Sequence, residues 1–475
     1  MDRREFLKTA AIAGLALNPM VARAMEAAKP QARPNFVFIL IDDLCHDLAH
    51  CTGNPVAKTP NIDRIARDGV IFENAFVVHS LCSPSRAAFL TGQYGHCNGV
   101  FVNETRPELD PAIATWPKLL QEAGYDTAFI GKWHQGKGNY PRKGFNHWVS
   151  FDGQGVYENP TINTDGKTEQ VNGYMTDILS DAAMDWLRKD RTAPFCLYLP
   201  HKAIHGPFTP AARHEHLYDG AKFAHPPNCF DNFEGKPEWL KKNRKPRTRD
   251  MVNSIEGMDE SIRKQLRCLA AADEGIGRIL NHLARTGQLE NTVIAFAGDN
   301  GFYHGEHGLG DKRSAYEESV RIPLIVSYPK MIKPGTKNED MVLNIDFAPT
   351  MLELAGVAAP ESMQGKSMVP LLAGKNAGWR KEFVYEYMAE KPFPGIPSVL
   401  AVRTDRWKYI RYPEIDDIEE LYDLKNDQYE LKNLASDPKH AATLDEMKKK
   451  MDLLLVETKG REFWDKHIAE ANAAK

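Results

Sequence analysis

Apolar positions along the chain follow two rhythms. Residues 35–41, 194–199 and 292–297 are continuous apolar runs without alternation, the pattern of strands buried on both faces of a parallel sheet. Residues 72–78, 127–130 and 321–328 read as further strands. Between them, apolar residues recur at helical spacing over 61–68, 116–123, 176–188, 262–285 and 346–355, with Gly69, Gly124 and Gly356 as stops and Asp346 as an N-cap. This alternation predicts an α/β fold, a large and mostly parallel sheet flanked by helices. Short strands at 383–387, 400–403, 408–411 and 420–423 then follow in close succession and predict an antiparallel sheet, closed by a Lys/Glu-rich helix from about residue 443. A linker-like stretch at 373–378 divides a domain over 35–372 from a C-terminal antiparallel α+β subdomain over 380–475. Residues 208–251, rich in Pro, His and Lys, read as a surface insertion.

With 475 residues, 42% hydrophobic and 26% charged, the chain has an ordinary globular composition. A net charge of -4 supplies no global basic field for nucleic acid or sulfated polymers, so anion binding must come from local clusters. The seven cysteines form no CxxC pair, which argues against a zinc site and a full disulfide framework; Cys45, Cys51 and Cys97 are expected as thiols. Asp2-Arg3-Arg4-Glu5-Phe6-Leu7-Lys8, the mildly apolar run 9–17 and Ala22-Arg23-Ala24 resemble a twin-arginine export signal, so residues 1–28 are expected to be a signal and tether. The run is too short for a stable membrane span. The implied partner is the twin-arginine export machinery and the implied location periplasmic or secreted.

Four strands deliver polar groups just past their carboxyl ends: Asp42 and Asp43, Lys132 and His134, His205, and Asp299 with Asn300. In open parallel sheets ligands bind at that edge. Two adjacent carboxylates after a buried strand repel unless a cation lies between them. Between the first two of these strands lies Leu81-Cys82-Ser83-Pro84-Ser85-Arg86-Ala87-Ala88-Phe89-Leu90-Thr91-Gly92, where a strand gives way to a short helix over 86–90. Cys82 is thereby placed near helix amide donors, with Arg86 one turn further on.

Cys-x-Pro-Ser-Arg followed by Leu-Thr-Gly resembles the signature of the type I sulfatases of the alkaline-phosphatase superfamily. Further matches stand in family order: Asp42-Asp43, Gly131-Lys132-Trp133-His134, His205-Gly206-Pro207, Gly298-Asp299-Asn300-Gly301, and Lys312 before Tyr316-Glu317-Glu318. The surroundings of Asp311-Lys312-Arg313 and Asn344-Ile345-Asp346 are most similar to glucosamine-6-sulfatase-type members. The resemblance implies an alkaline-phosphatase-like sheet and hydrolysis of carbohydrate sulfate esters. It also implies that a maturing enzyme oxidises Cys82 to formylglycine, whose hydrated aldehyde is the nucleophile. One calcium ion would be held by Asp42, Asp43, Asp299, Asn300 and an oxygen of modified Cys82. Arg86, Lys132 and Lys312 would hold the sulfate, His134 would support the formylglycine, and His205 would protonate the leaving alcohol. Gln135, Lys137 and Cys51-Thr52-Gly53 depart from the family's forms and are expected to bear on specificity without touching the nucleophile or metal set. The same charge pattern also suits an arylsulfatase or a phosphonate or phosphate ester hydrolase of the superfamily. A third reading, of another class, is a non-catalytic binder of sulfated glycans.

Overall fold

The computed structural model describes residues 33–103, 108–243, 254–375 and 378–473. The export signal expected over 1–28 lies outside them, as do residues 244–253 of the insertion and part of the linker at 373–378. From Pro34 onward the chain forms one compact unit.

A ten-stranded sheet runs in the order Thr336–Asn338, Val70–Phe72, Leu324–Ser327, Thr292–Gly298, Asn35–Ile41, Phe195–Pro200, Asp126–Lys132, His147–Phe151, Thr161–Thr164 and Lys167–Gln170. Its centre is parallel: Asn35–Ile41 lies between Thr292–Gly298 and Phe195–Pro200, and Asp126–Lys132 follows. The unbroken apolar runs are explained by burial on both faces. In Asn35–Ile41, Val37, Ile39 and Ile41 enter a core roofed by helices Met175–Leu187 and Ile255–Arg285. Phe36, Phe38 and Leu40 enter the opposite core, roofed by Trp116–Glu122 and Phe347–Leu354. There Phe38 packs on Phe347 and Tyr198, with ring centroids 4.0 Å and 4.9 Å away. The four C-terminal strands, Glu382–Tyr387, Val399–Thr404, Trp407–Arg411 and Glu420–Asp423, form the expected antiparallel sheet. Its inner face shares a third core with Phe76, Leu81, Ala88, Tyr303 and Tyr316.

Several local expectations differ from the fold. The strand read over 72–78 is two short ones: Val70–Phe72 joins the main sheet, while Ala75–Phe76 pairs with Val342–Leu343. The break is a turn in which Glu73 N donates to Asn338 O and Asn74 Nδ2 to Glu339 O. The long helix starts at Ile255, seven residues early, because the Ser254 hydroxyl caps Gly257 N at 3.0 Å. Asp346 does not cap the following helix through its side chain. Its carboxylate accepts from Leu343 N and Lys366 N and pairs with Arg380. The terminal helix is two, Ala441–Glu457 and Arg461–Ala473. The described part of the 208–251 insertion is not a loose surface loop. Lys236 is fully buried, donates to Tyr422 OH at 2.6 Å and lies 4.4 Å and 4.9 Å from the Tyr422 and Tyr316 ring centroids, anchoring the segment on the C-terminal sheet. No described helix is long and apolar enough to cross a membrane. All seven cysteines are free.

Two histidines set an acid limit. His79 and His201 are about fully buried, neither ring nitrogen has a hydrogen-bond partner, and burial pulls both down to about 4. The unfolded chain takes up protons below about 6.5 while the folded chain resists until about 4, so stability falls as pH drops through that window. Each ring is expected to cost at most about 3 kcal/mol across it. Urea midpoints between pH 7 and 4 check this; in His201→Phe the fall is expected to be shallower than in wild type.

Candidate functional site

Adjacent parallel strands bring their carboxyl ends to one depth. Backbone hydrogen bonds lock the segments just beyond: Asp42 N to Ala203 O, Ile204 N to Asp42 O, and Asp299 N to Ile41 O. Gly131, at φ +139°, lets Asp126–Lys132 pass so close to its neighbour that a Cβ there would overlap the Pro200 carbonyl. Lys132 is thus delivered to the strand edge. Lys132 and His134 do not share one face by strand alternation, because His134 has φ +56° and leaves the strand geometry.

The helix begins at Cys82 itself, not at Arg86, and every residue of Cys82–Thr91 is buried. Its exposed-amide end is answered locally. Ser83 N donates to the Asn103 side chain at 2.9 Å, and the Ser83 hydroxyl donates to His134 O at 2.7 Å. Cys82 Sγ donates to Asp42 Oδ1 at 3.3 Å and accepts from Lys312 Nζ at 3.2 Å. Burial and the Asp42 carboxylate push the thiol well above its ordinary value. As a thiol it stays protonated and weakly nucleophilic near neutral pH.

Three carboxylates meet three cations around it. Arg86 Nε lies 2.9 Å from Asp299 Oδ2, Nη2 lies 2.8 Å from the same oxygen and 3.4 Å from Asp42 Oδ2, and Nη1 donates to Lys132 O at 2.7 Å. Lys132 pairs with Asp42 Oδ2 and Lys312 with Asp43 Oδ1. Burial opposes ionisation of Asp42, yet Lys132 and Arg86 hold its carboxyl well below the usual range. Burial and the nearby Asp42 charge raise Asp299 to about 7. Burial alone would lower Lys312, but Asp43 outweighs it and keeps the ammonium charged. His205 Nε2 lies 3.6 Å from Asp43 Oδ2, while His205 Nδ1 donates to Gly206 O at 2.9 Å. Burial pulls His205 down to about 4 despite Asp43. His134 is buried, its Nδ1 has no partner, and burial with Lys132 lowers it well below its ordinary value.

The donor set fits a hard divalent cation. Ligand atoms of Asp42, Asp43, Cys82 and His205 lie within 4.8 Å of one another. Asn300 donates its amide to Asp43 Oδ1 at 2.8 Å, which leaves its fully buried Oδ1 without a partner. A buried acceptor among carboxylates is met by a cation, and oxygen donors suit calcium or magnesium. A second cluster, His307, Glu318 and Glu430, already holds a cation of its own: Lys408 Nζ is 2.8 Å from Glu430 Oε1.

Asp42, Asp43, Cys82, Arg86, Lys132, Asp299, Asn300, Lys312 and His205 therefore come together as one cluster, with His134 attached through its carbonyl. The Arg86 guanidinium faces Asp299, Asp42 and the Lys132 carbonyl, and its buried Nη2 makes ion-pair contacts without a hydrogen bond of its own. Gln135 reaches the residue after Cys82, its amide donating to Ser83 O at 2.5 Å. Other neighbours had no sequence signal. Gln154 Nε2 lies 3.5 Å from His134 Nε2. Glu390, from the loop between C-terminal strands, accepts from Asn103 N at 2.8 Å and pairs with Arg313 at 3.0 Å. Lys202 stands in the segment that carries His205, with no signal of its own.

Comparison with known proteins follows the same lines. The sulfatase family pattern matches residues 34–357, and that of the N-sulphoglucosamine sulphohydrolase C-terminal region matches residues 305–457. The chain is 35% identical to an N-acetylglucosamine-6-O-sulfatase of Bacteroides thetaiotaomicron, over 90% of this chain and 88% of that protein. It is 32% identical to the N-acetylglucosamine-6-sulfatase of Capra hircus, over 86% of this chain and 81% of that protein. A solved structure in complex with its substrate D-glucosamine-2-N,6-O-disulfate superposes with a TM-score of 0.83 at 34% identity, covering 90% of this chain and 98% of that one.

Removing the guanidinium leaves buried carboxylates facing one another. Arg86→Ala is expected to lower the unfolding free energy by about 3–5 kcal/mol in the metal-free protein. Arg86→Lys should recover less than half, since one ammonium cannot span Asp42, Asp299 and the Lys132 carbonyl. Urea denaturation checks both; a loss below about 1 kcal/mol for Arg86→Ala would show that the clamp carries no such load.

Proposed function

The chain belongs to the sulfatase family and is a sulfuric ester hydrolase; from that premise we propose that it removes sulfate from carbohydrates, with the 6-O-sulfate of glucosamine-type residues as its bond. The observation that carries the reading is the intact cluster of Cys82, three carboxylates and two lysines at one sheet edge, in a chain so similar to glucosamine sulfatases. Export by a twin-arginine-type signal and oxidation of Cys82 by a formylglycine-generating enzyme belong to the same reading, supported by the residues that resemble those signals.

When present, the calcium ion and the formylglycine supply a Lewis acid and an oxygen nucleophile. Asp42, Asp43, Asp299 and Asn300 would hold the ion, the unpartnered Asn300 Oδ1 being the atom that has a place for it. Arg86 keeps Asp42 and Asp299 in register. Lys132 and Lys312 are buried ammoniums that offset charge on the sulfate oxygens as the ester bond breaks. The unpartnered Nδ1 of His134 is free to hydrogen-bond an oxygen at position 82. His205 has Nδ1–H committed to Gly206, so Nε2 is its working nitrogen. The ring is neutral at rest because burial pulls it down to about 4. Its minor imidazolium form is the strong acid that gives the Nε2 proton to the departing alcohol and returns to the Nδ1–H ring.

Sulfate release from glucosamine derivatives and oligosaccharides that differ only in ester position tests the substrate, with Cys82→Ala as blank. Release from the 6-O-sulfate, lost by more than about 1,000-fold in the blank, is expected. No release by protein whose Cys82 peptide has the formylglycine mass would sink the reading. For the metal, millimolar calcium is expected to raise the melting temperature of the wild type and to leave Asn300→Leu nearly unmoved.

A further inference from the structure

Lys202 is about fully buried and, among the described residues, forms no ion pair. Its ammonium donates to Gly206 O at 3.2 Å and lies 4.6 Å from the centroid of the Tyr157 ring. That same carbonyl accepts from His205 Nδ1 at 2.9 Å, and the Tyr157 hydroxyl donates to His205 O at 2.8 Å. Tyr157 is itself fixed, buried and stacked on Tyr174 with centroids 5.6 Å apart. Tyr157 and Lys202 thus hold two successive peptide carbonyls, that of His205 and that of Gly206, on either side of the Gly206 Cα. An ammonium without a carboxylate partner is costly in such a place. Burial, with the charge of Lys132 second, pulls Lys202 down to about 8, against the weaker pull of Asp42, Asp43 and Cys268.

The carbonyl is the hinge of the arrangement. A carbonyl only accepts, so a ring nitrogen bonded to it must carry hydrogen. That fixes the proton of His205 on Nδ1 and leaves Nε2, 3.6 Å from Asp43 Oδ2, facing the cluster. If Gly206 O swung away, the ring would lose both its tautomer preference and its aim. Lys202 makes no hydrogen bond to Cys82, Lys132, Lys312 or any of the four oxygen ligands.

We propose that Lys202 is a positioning residue for proton delivery, holding the Gly206 carbonyl so that His205 keeps Nδ1 protonated and Nε2 toward the leaving alcohol. This rests on the sulfatase reading. It gives Lys202 no part in binding sulfate or metal, so its loss slows turnover without weakening substrate binding.

A double-mutant cycle on the full-length, matured enzyme tests it, using the sugar sulfate that the wild type cleaves. Lys202→Met is expected to lower kcat by about 30-fold with KM changed by less than about threefold. In a His205→Ala background the same substitution should cost less than about threefold, because the group it positions is gone. Lys202→Gln, which keeps a donor for Gly206 and offers a second variant should methionine unfold the protein, should retain at least about a third of the wild-type kcat. Equal losses in both backgrounds would overturn the proposal and mark Lys202 as a general packing residue. So would a tenfold rise in KM, or an unchanged kcat. Wild-type protein that carries formylglycine yet cleaves no sugar sulfate overturns the underlying reading, an outcome visible before any Lys202 variant is made.

Discussion

Three carboxylates buried at one sheet edge repel one another at short range, with little water to screen them. Asp42, Asp43 and Asp299 are each 2% exposed or less, so the charges that answer them must be built into the fold. Arg86 bridges the two outer carboxylates, Lys132 takes Asp42 and Lys312 takes Asp43. These cations and the acids they meet come from five separate stretches of chain, at Asp42-Asp43, Arg86, Lys132, Asp299 and Lys312, so the long-range pairing of the sheet is itself a condition for electrostatic balance. The same constraint explains the divided roles. A planar guanidinium with several donors suits the fixed clamp, whereas single flexible ammoniums can trade one anionic partner for another.

Much of this was legible in the residues. Apolar runs such as Asn35–Ile41 announce a two-faced buried strand, and polar groups at their ends are legible as a site because open sheets bind ligands there. The Cys82 stretch is long enough to mark its family unaided. What escaped were contacts that depend on the path of loops. Glu390 lies in an unpatterned segment, yet it reaches both Asn103 and Arg313. Gln135 looked remote from the nucleophile because nothing in its spacing predicts the left-handed turn at His134 that brings it to Ser83. Lys236 reads as one more surface lysine until the two tyrosines that enclose it are seen. The strand broken at Glu73 failed for a similar reason, since β propensity does not say which of two sheets will claim each half.

The C-terminal strands do more than extend the fold. Their inner face closes the core beneath the Cys82 helix, and Glu390 ties that face to the loop at Asn103, which in turn holds the amide of Ser83. The site stands on the edge of the parallel sheet, while the loop that supports its helix is held by Glu390, 287 positions further along the chain. Changes in the loop after Glu382–Tyr387 can therefore reach the Ser83 amide through Asn103 while leaving the carboxylate cluster as it is.

The complete enclosure of Cys82 has a consequence in time. A side chain with no accessible surface, packed inside a helix that is itself buried on every side, presents nothing for another enzyme to grasp. Any catalyst that alters this sulfur must meet the segment as an extended strip, before the sheet edges converge around it. Folding then acts as a deadline for any such alteration: once the chain closes, the thiol has no accessible surface.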